Sequence, residues 1–401
     1  MSFTTPFATR ASRMKASEIR DLLKLLDRPD IISFAGGIPD PALFPAEKFA
    51  AAMNRALTGD AADRSLQYGP SIGLLPLREW IADHMGTLGV PCRPENIVVT
   101  SGSQQALDYL GKLFLSPGDT ALVGWPTYLG ALGAFNAYEP RYDRLDPGNN
   151  RAPDAIAAAA RDAGGAVKFA YLSPDFANPT GRTYSHAARL SLLDLAETLD
   201  CAVIEDGAYQ ALRYDGDPIP PILALEHART GDIEACRTLY CGTFSKTLAP
   251  GLRVGWVCGA RDVIARLDLI KQAGDLQSAT LNQIAVSEVA RDGFDAHLDR
   301  LRETYAARRD AMLAALDAHM PPGVSWTRPE GGMFVWVTLP ENLDGAALLE
   351  RSIESAGVAF VPGGAFFPDG SGKNTLRLSF SRNPPEEIHD GIARLGRLLT
   401  A

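Results

Sequence analysis

Between residues 97 and 258 the sequence alternates repeatedly between a short apolar run and a longer stretch of helical periodicity. Ile97–Thr100, Thr120–Val123, Val167–Leu172, Ala202–Glu205, Thr238–Cys241 and Val254–Cys258 are rich in β-branched and aliphatic residues, with Gly, Pro or Asp at their boundaries. Runs of this length and make-up read as short buried strands. Helical stretches such as Ser103–Leu115 and His186–Leu199 separate most of them. This alternation predicts an α/β fold with a mostly parallel sheet covered on both faces by helices. In an open sheet of that kind, ligands sit beyond the carboxyl ends of the strands. The chemistry is therefore expected in the segments that follow the runs.

The ends of the chain read differently. Long amphipathic helices over Leu281–Ala318 precede strands at Met333–Thr338, Val358–Val361 and Leu376–Phe380, and a helix over Pro385–Leu399 follows. This pattern predicts a smaller α+β domain. The expected division is residues 1–60 as an N-terminal arm and part of the small domain, 61–285 as the large domain, and 286–401 as the C-terminal small domain. Hydrophobic residues make up 46% of the 401, enough to fill a sizeable core. A net charge of −9 argues against a nucleic-acid partner, which needs a basic face. No apolar run approaches the ~18 residues of a membrane span. Arg10, Arg13 and Lys15 precede any acidic residue, as in a transit peptide, but a short arm leading into the amphipathic stretch Glu18–Leu26 explains them better. The five cysteines are scattered without a C-x-x-C, which suits a reducing compartment, and a cytoplasmic protein is expected. The six histidines show no metal-ligand spacing, so no metal is expected.

Several post-strand segments carry reactive groups. Ser101-Gly102-Ser103-Gln104 opens a helix after Ile97–Thr100. Free N–H groups there favour an anion such as phosphate, although Ser-Gly before a helix also serves as a plain cap. Asp206 follows Ala202–Glu205 and either pairs with a protonated ring nitrogen or is a solvated loop residue. Thr243, Ser245, Lys246 and Arg253 crowd one connection between two strands. A lysine between apolar segments has a lowered pKa and can form a Schiff base, while hydroxyls and an arginine suit a phosphate dianion. The alternative is an exposed basic loop. Asn178-Pro179-Thr180-Gly181 is a turn by default, or presents an amide to a phenolic oxygen. Tyr128 either packs or stacks on a flat ring. Arg377 lies between apolar neighbours in a strand and needs an anion, either a substrate carboxylate or an internal Asp or Glu.

Taken together, Asn178, Asp206, Tyr209, Lys246, Arg253 and Arg377, in that order, resemble the fold-type-I, pyridoxal-phosphate-dependent aminotransferases of class I and II. The phrases "SEIRDLLKLLDRPDIISFAGGIPDPALFP", "LQYGPSIGLLPLR", "SGSQQALDYLGKLFLSPGD", "NPTG", "FSKTLAPGLRVGW" and "RPEGGMFVW" resemble the 2-aminoadipate and kynurenine aminotransferase subgroup. The similarity runs from about residue 13 to 399. It implies a mostly parallel seven-stranded sheet in the large domain and pyridoxal 5'-phosphate as cofactor. It also implies a role for each residue. Lys246 is the amine that links to the cofactor and shuttles a proton. Asp206 holds the pyridine nitrogen protonated, Asn178 and Tyr209 bond the phenolic oxygen, and Tyr128 stacks on the ring. Ser103, Gln104, Thr243, Ser245 and Arg253 serve the phosphate, with Thr243 where relatives often have serine. Arg377 binds the substrate α-carboxylate. Arg20 meets its distal group, and Gly36, Gly37 and Ile38 line the same pocket. Tyr68 reaches the neighbouring subunit's site, which implies a homodimer with shared active sites. Many relatives carry histidine where Gln277 stands. The peptides before Pro126 and Pro179 are expected to be cis.

The implied activity is ping-pong transfer of an α-amino group between an amino acid (2-aminoadipate, aromatic or kynurenine, or branched-chain) and a 2-oxo acid such as 2-oxoglutarate. Two alternatives differ in class: a lyase or decarboxylase on the same scaffold, and a non-catalytic regulator that binds the cofactor. The products separate the first, and the lack of a helix-turn-helix pattern before the sheet motifs argues against the second.

Overall fold

The strand runs of the sequence sort into three sheets in the computed structural model, which describes residues 7–14, 30–59 and 61–400. The strands in chain order are β1 Ile32–Ser33, β2 Ile97–Thr100, β3 Thr120–Val123, β4 Arg141–Arg144, β5 Val167–Leu172, β6 Ala202–Asp206, β7 Thr238–Thr243, β8 Gly255–Cys258, β9 Ser325–Trp326, β10 Phe334–Thr338, β11 Val358–Ala359, β12 Val361–Pro362 and β13 Thr375–Ser379. The large sheet has seven strands in the order β2-β8-β7-β6-β5-β3-β4. β4, β3, β5, β6 and β7 pair in parallel, and β8 runs against both its neighbours. The expected mostly parallel α/β sheet is therefore present. β4 (Arg-Tyr-Asp-Arg) has no apolar run to announce it; it sits at the sheet edge with both ends exposed, where a polar strand is stable.

The period of two along the strands separates the two faces. On one face Phe169, Tyr171 and Ile204 join a core with Leu107, Phe135 and Val257. On the other, Ala170, Leu172 and Val203 pack with Leu192 and Ile222. Both faces are dry, as a parallel sheet requires.

Helices Thr280–Arg291 and Phe294–His319 follow, where the sequence predicts long amphipathic helices. The order β12-β13-β10-β9 forms an antiparallel four-stranded sheet. The run Val358–Val361, read as one strand, is split: Val358–Ala359 pairs with β1 and Val361–Pro362 with β13, with the buried Phe360 between them. The partner of β11 is supplied by residues more than three hundred positions upstream, which local pattern cannot reveal. The helix expected over Glu18–Leu26 lies outside the described residues. Among those described, no helix is long and apolar enough to cross a membrane.

Candidate active site

The register of the large sheet brings the reactive segments to one edge. Thr100 and Thr243 both pair with Gly255, so the turns after β2 and β7 and the entry to β8 lie side by side. Because β8 is antiparallel, its first residues share this edge with the carboxyl ends of β2, β5, β6 and β7. A cavity of about 240 Å³ opens there, lined by residues that include Gly37, Ser103, Gln104, Tyr128, Asn178, Asp206, Tyr209, Thr243, Ser245, Lys246, Arg253 and Arg377.

One end of the cavity is built for an anion. Helix Ser103–Phe114 starts after Gly102, which makes no side-chain cap, so N–H groups of its first turn are left for a ligand. Gly102 has φ +80°, and a Cβ there would lie 2.2 Å from Arg253 Nη2. Only glycine permits this approach. Arg253 donates from Nη2 to the Ser101 carbonyl at 3.2 Å and from Nη1 to Ser245 Oγ at 3.4 Å. Thr243 Oγ1 donates to Ser245 Oγ at 2.9 Å, and the Ser245 N–H donates to Thr243 Oγ1 at 3.1 Å. The Gln104 side chain donates to the Gly130 carbonyl at 2.7 Å, which ties this helix to the segment after Tyr128.

The other end holds a base and a carboxylate. Lys246 donates to the Gly37 carbonyl at 2.9 Å. Burial, reinforced by the Arg377 and Arg253 charges, pushes its ammonium down to about 8. Asp206, 5% exposed, ends β6 on the face shared with Ile204. Its Oδ2 accepts from the Tyr171 hydroxyl at 2.8 Å, and its Oδ1 accepts from the Ala208 N–H at 3.3 Å. Burial raises the carboxyl's pKa, and these donors and Lys246 oppose the rise. Tyr128 is half-buried, and the loss of solvent around its hydroxyl pushes the phenol up to about 12. Asn178 and Tyr209 both line the cavity.

Arg377 is 1% exposed on β13. Its Nη1 donates to Asn178 Oδ1 at 2.8 Å and its Nη2 to the Ala35 carbonyl at 2.8 Å. The guanidinium lies 4.3 Å from the Phe334 ring centroid, and Nε is buried without a partner. Its hydrogen-bond partners are therefore an amide and a carbonyl, not the internal Asp or Glu left open by the sequence.

Gly37 and Ile38 line the cavity as the resemblance implies, whereas Gly36 is not among its lining residues. Tyr68 stands apart from the cavity and is 77% exposed. The Gly69 N–H donates to Gln277 Oε1, so Gln277 ties down the segment that follows Tyr68. Arg20 lies outside the described residues. The peptides Trp125–Pro126 and Asn178–Pro179 are both cis. Tyr171 is the contributor that sequence reading missed: it is the next-to-last residue of a largely apolar strand, Val167–Leu172.

The residues fit pyridoxal 5'-phosphate. An anion cup that a Cβ at Gly102 would fill stands at one end, and a buried carboxylate with a spare acceptor stands near a half-buried lysine at the other. Residues 29–395 match the family described as aminotransferase class I and II. The chain is 44% identical to aromatic-amino-acid aminotransferase 1 of Thermococcus litoralis, over 98% of this chain and 94% of that one. It is 42% identical to the 2-aminoadipate transaminase of Thermus thermophilus, over 100% and 98% of the two chains. The crystal structure of the Thermus thermophilus α-aminoadipate aminotransferase complexed with N-(5'-phosphopyridoxyl)-L-leucine superposes with a TM-score of 0.89 at 40% identity, covering 100% of this chain and 98% of that one. With the fold, the lysine, the carboxylate and the anion cup in agreement, the chain belongs to the class I and II aminotransferases, enzymes that work through pyridoxal 5'-phosphate.

Proposed function

We propose that this enzyme transfers the α-amino group of 2-aminoadipate or an aromatic amino acid to a 2-oxo acid, with 2-oxoglutarate and glutamate as the returning pair. The observation that carries the reading is Arg377, a buried guanidinium with an unpartnered Nε beside Lys246 and Asn178. It suits a substrate α-carboxylate, and the two named relatives supply the substrate classes.

Pyridoxal 5'-phosphate, when bound, supplies the carbonyl that takes up the amino group and a ring that accepts electrons from the substrate Cα. The chain's residues divide the remaining work. Ser103, Gln104, Thr243, Ser245 and Arg253 would hold the phosphate, together with the free N–H groups of the helix that starts at Ser103. Tyr128 would stack on the ring, Asn178 and Tyr209 would bond the phenolic oxygen, and Asp206, as a carboxylate, would accept a hydrogen bond from the protonated ring nitrogen. Arg377 fixes the α-carboxylate so that the Cα–H bond faces Lys246, an orientation effect. Lys246 takes and returns that proton as a neutral amine, which its lowered pKa makes available near neutral pH. Gly37 lines the cavity, and the charge of Arg20, if it serves the substrate's distal group as the resemblance implies, favours an acidic one.

We read residues 61–285 as the large domain and 286–401, with 1–60, as the smaller one; the β1–β11 pairing supports joining the two ends. We also read the enzyme as a cytoplasmic homodimer in which Tyr68 serves the partner's site. The exposure of Leu66, Tyr68 and Leu276 near the Gly69–Gln277 hydrogen bond supports that interface. Mixing Tyr68→Ala and Lys246→Ala chains tests it: shared sites regain activity that neither variant has alone.

The substrate reading is tested by single additions of 2-aminoadipate, kynurenine, phenylalanine, leucine, valine, alanine and glutamate to the holoenzyme. Conversion of the pyridoxal absorbance to that of pyridoxamine phosphate ranks the donors. Release of ammonia or carbon dioxide in place of a keto acid would overturn transamination.

A further inference from the structure

We propose that Tyr171 is a positioning residue for Asp206, its hydroxyl fixing Oδ2 so that the carboxylate stays ionised and keeps its remaining acceptor capacity for the cofactor's ring nitrogen. The inference deepens the reading that Asp206 serves that nitrogen, and rests on it.

The register places the two groups together. Tyr171 on β5 is opposite Ile204 on β6, so Asp206, two residues further, lies diagonally ahead on the same face. A diagonal neighbour is beyond a short side chain and within reach of a tyrosine. The hydroxyl arrives at 2.8 Å, a normal O–H···O hydrogen-bond length. Its aim is not free to wander. Tyr171 is fully buried, and its ring packs edge-on against Phe135 with centroids 5.5 Å apart.

The carboxylate depends on this donor. The Ala208 N–H bond on the other oxygen is long, and Lys246 supports Asp206 through its charge while its hydrogen bond goes to Gly37. A buried carboxylate with too few donors takes up a proton itself. A protonated Asp206 no longer holds a proton on a ring nitrogen. The hydroxyl therefore acts on the chemistry without touching cofactor or substrate. Ser173 secures the same residue through its main chain, donating to the Asp206 carbonyl at 3.0 Å.

The test is a double-mutant cycle read by two signals. Tyr171→Phe keeps the ring and its packing and removes only the donor. The holoenzyme is reconstituted with pyridoxal phosphate labelled with 15N in the ring, and the nitrogen's chemical shift reports its protonation. Tyr171→Phe is expected to move the shift toward the neutral position and to lower kcat about tenfold with KM nearly unchanged. In an Asp206→Asn background the same change is expected to cost less than about twofold, because there is no carboxylate left to position. An equal loss in both backgrounds, or no loss and no shift in the wild-type background, overturns the proposal. If Asp206→Asn itself leaves the nitrogen signal in place, the assignment of Asp206 falls, and the Tyr171 proposal with it.

Discussion

Glu205 and Asp206 are consecutive carboxylates on β6, both buried, and the pleat sends them to opposite faces of the sheet. Glu205 is saturated by main chain. Its Oε1 accepts from the Ile222 N–H at 2.7 Å and its Oε2 from the Leu223 N–H at 3.0 Å, which caps helix Ile222–Thr230. Asp206 has one strong donor and lines a cavity. Burial raises the pKa of both, that of Glu205 to about 7. A shifted pKa therefore does not separate the structural acid from the functional one. What separates them is that two short main-chain N–H bonds hold Glu205 while Asp206 has one short bond and one long one, and that open space lies in front of Asp206.

The comparison breaks most visibly at the residue nearest Asp206 that does chemistry. Lys246→Ala is expected to lower turnover by about 10⁴-fold or more, with the thermal midpoint little changed. A steady-state assay beside calorimetry checks both halves. Asp206→Asn is expected to cost about 10²–10³-fold in kcat, since a preorganised charge is lost from a dry site, with stability again nearly preserved. Glu205→Gln should do the reverse. One amide oxygen cannot accept what two carboxylate oxygens accept, and the loss is about 1–3 kcal/mol of stability with kcat within about twofold. A large kcat effect there would end the distinction between the faces.

The Glu205 face also carries a pH signature. Its folded pKa of about 7 stands above the ordinary 4.5, so the folded state holds the proton longer. Its contribution to stability is full below about 4.5 and is lost as pH rises through about 7. Wild-type stability through this group falls across that window, and Glu205→Gln removes the slope. The variant's deficit is therefore larger at acidic than at alkaline pH in denaturant titrations, and a deficit that grows with pH would contradict the assignment.

Much of this was legible in the sequence for a physical reason. Each of the six strands read from residues 97–258 is buried on two faces, and such strands must be apolar. β4 escaped because an edge strand need not be. Asp206, Lys246, Arg253 and Arg377 stood out because charge beside apolar runs is costly unless it has work to do. Tyr171 did not stand out, since a tyrosine within an apolar strand looks like packing, and only the cross-strand register shows where its hydroxyl ends. The same limit hid the pairing of β1 with β11, where both partners are two residues long.

The smallest expected effect tests how far the two faces are electrically separate. Lys246 in the cofactor-free protein is held near 8 first by burial and then by the Arg377 and Arg253 charges. Its acylation by a small reagent, followed by mass spectrometry against pH, should rise through a midpoint near 8, because only the neutral amine reacts. Arg377→Gln removes a positive neighbour, so protonation becomes easier and the midpoint moves up. The move should be less than one unit, because burial remains and is the larger cause, and reactivity below the midpoint should fall about threefold. Glu205→Gln should leave the midpoint in place, since that carboxyl lies on the far face and its partners are main-chain N–H groups. A midpoint that followed Glu205 as closely as Arg377 would mean that the sheet does not insulate the site from its own scaffold. The contrast between the two acids would then be one of degree.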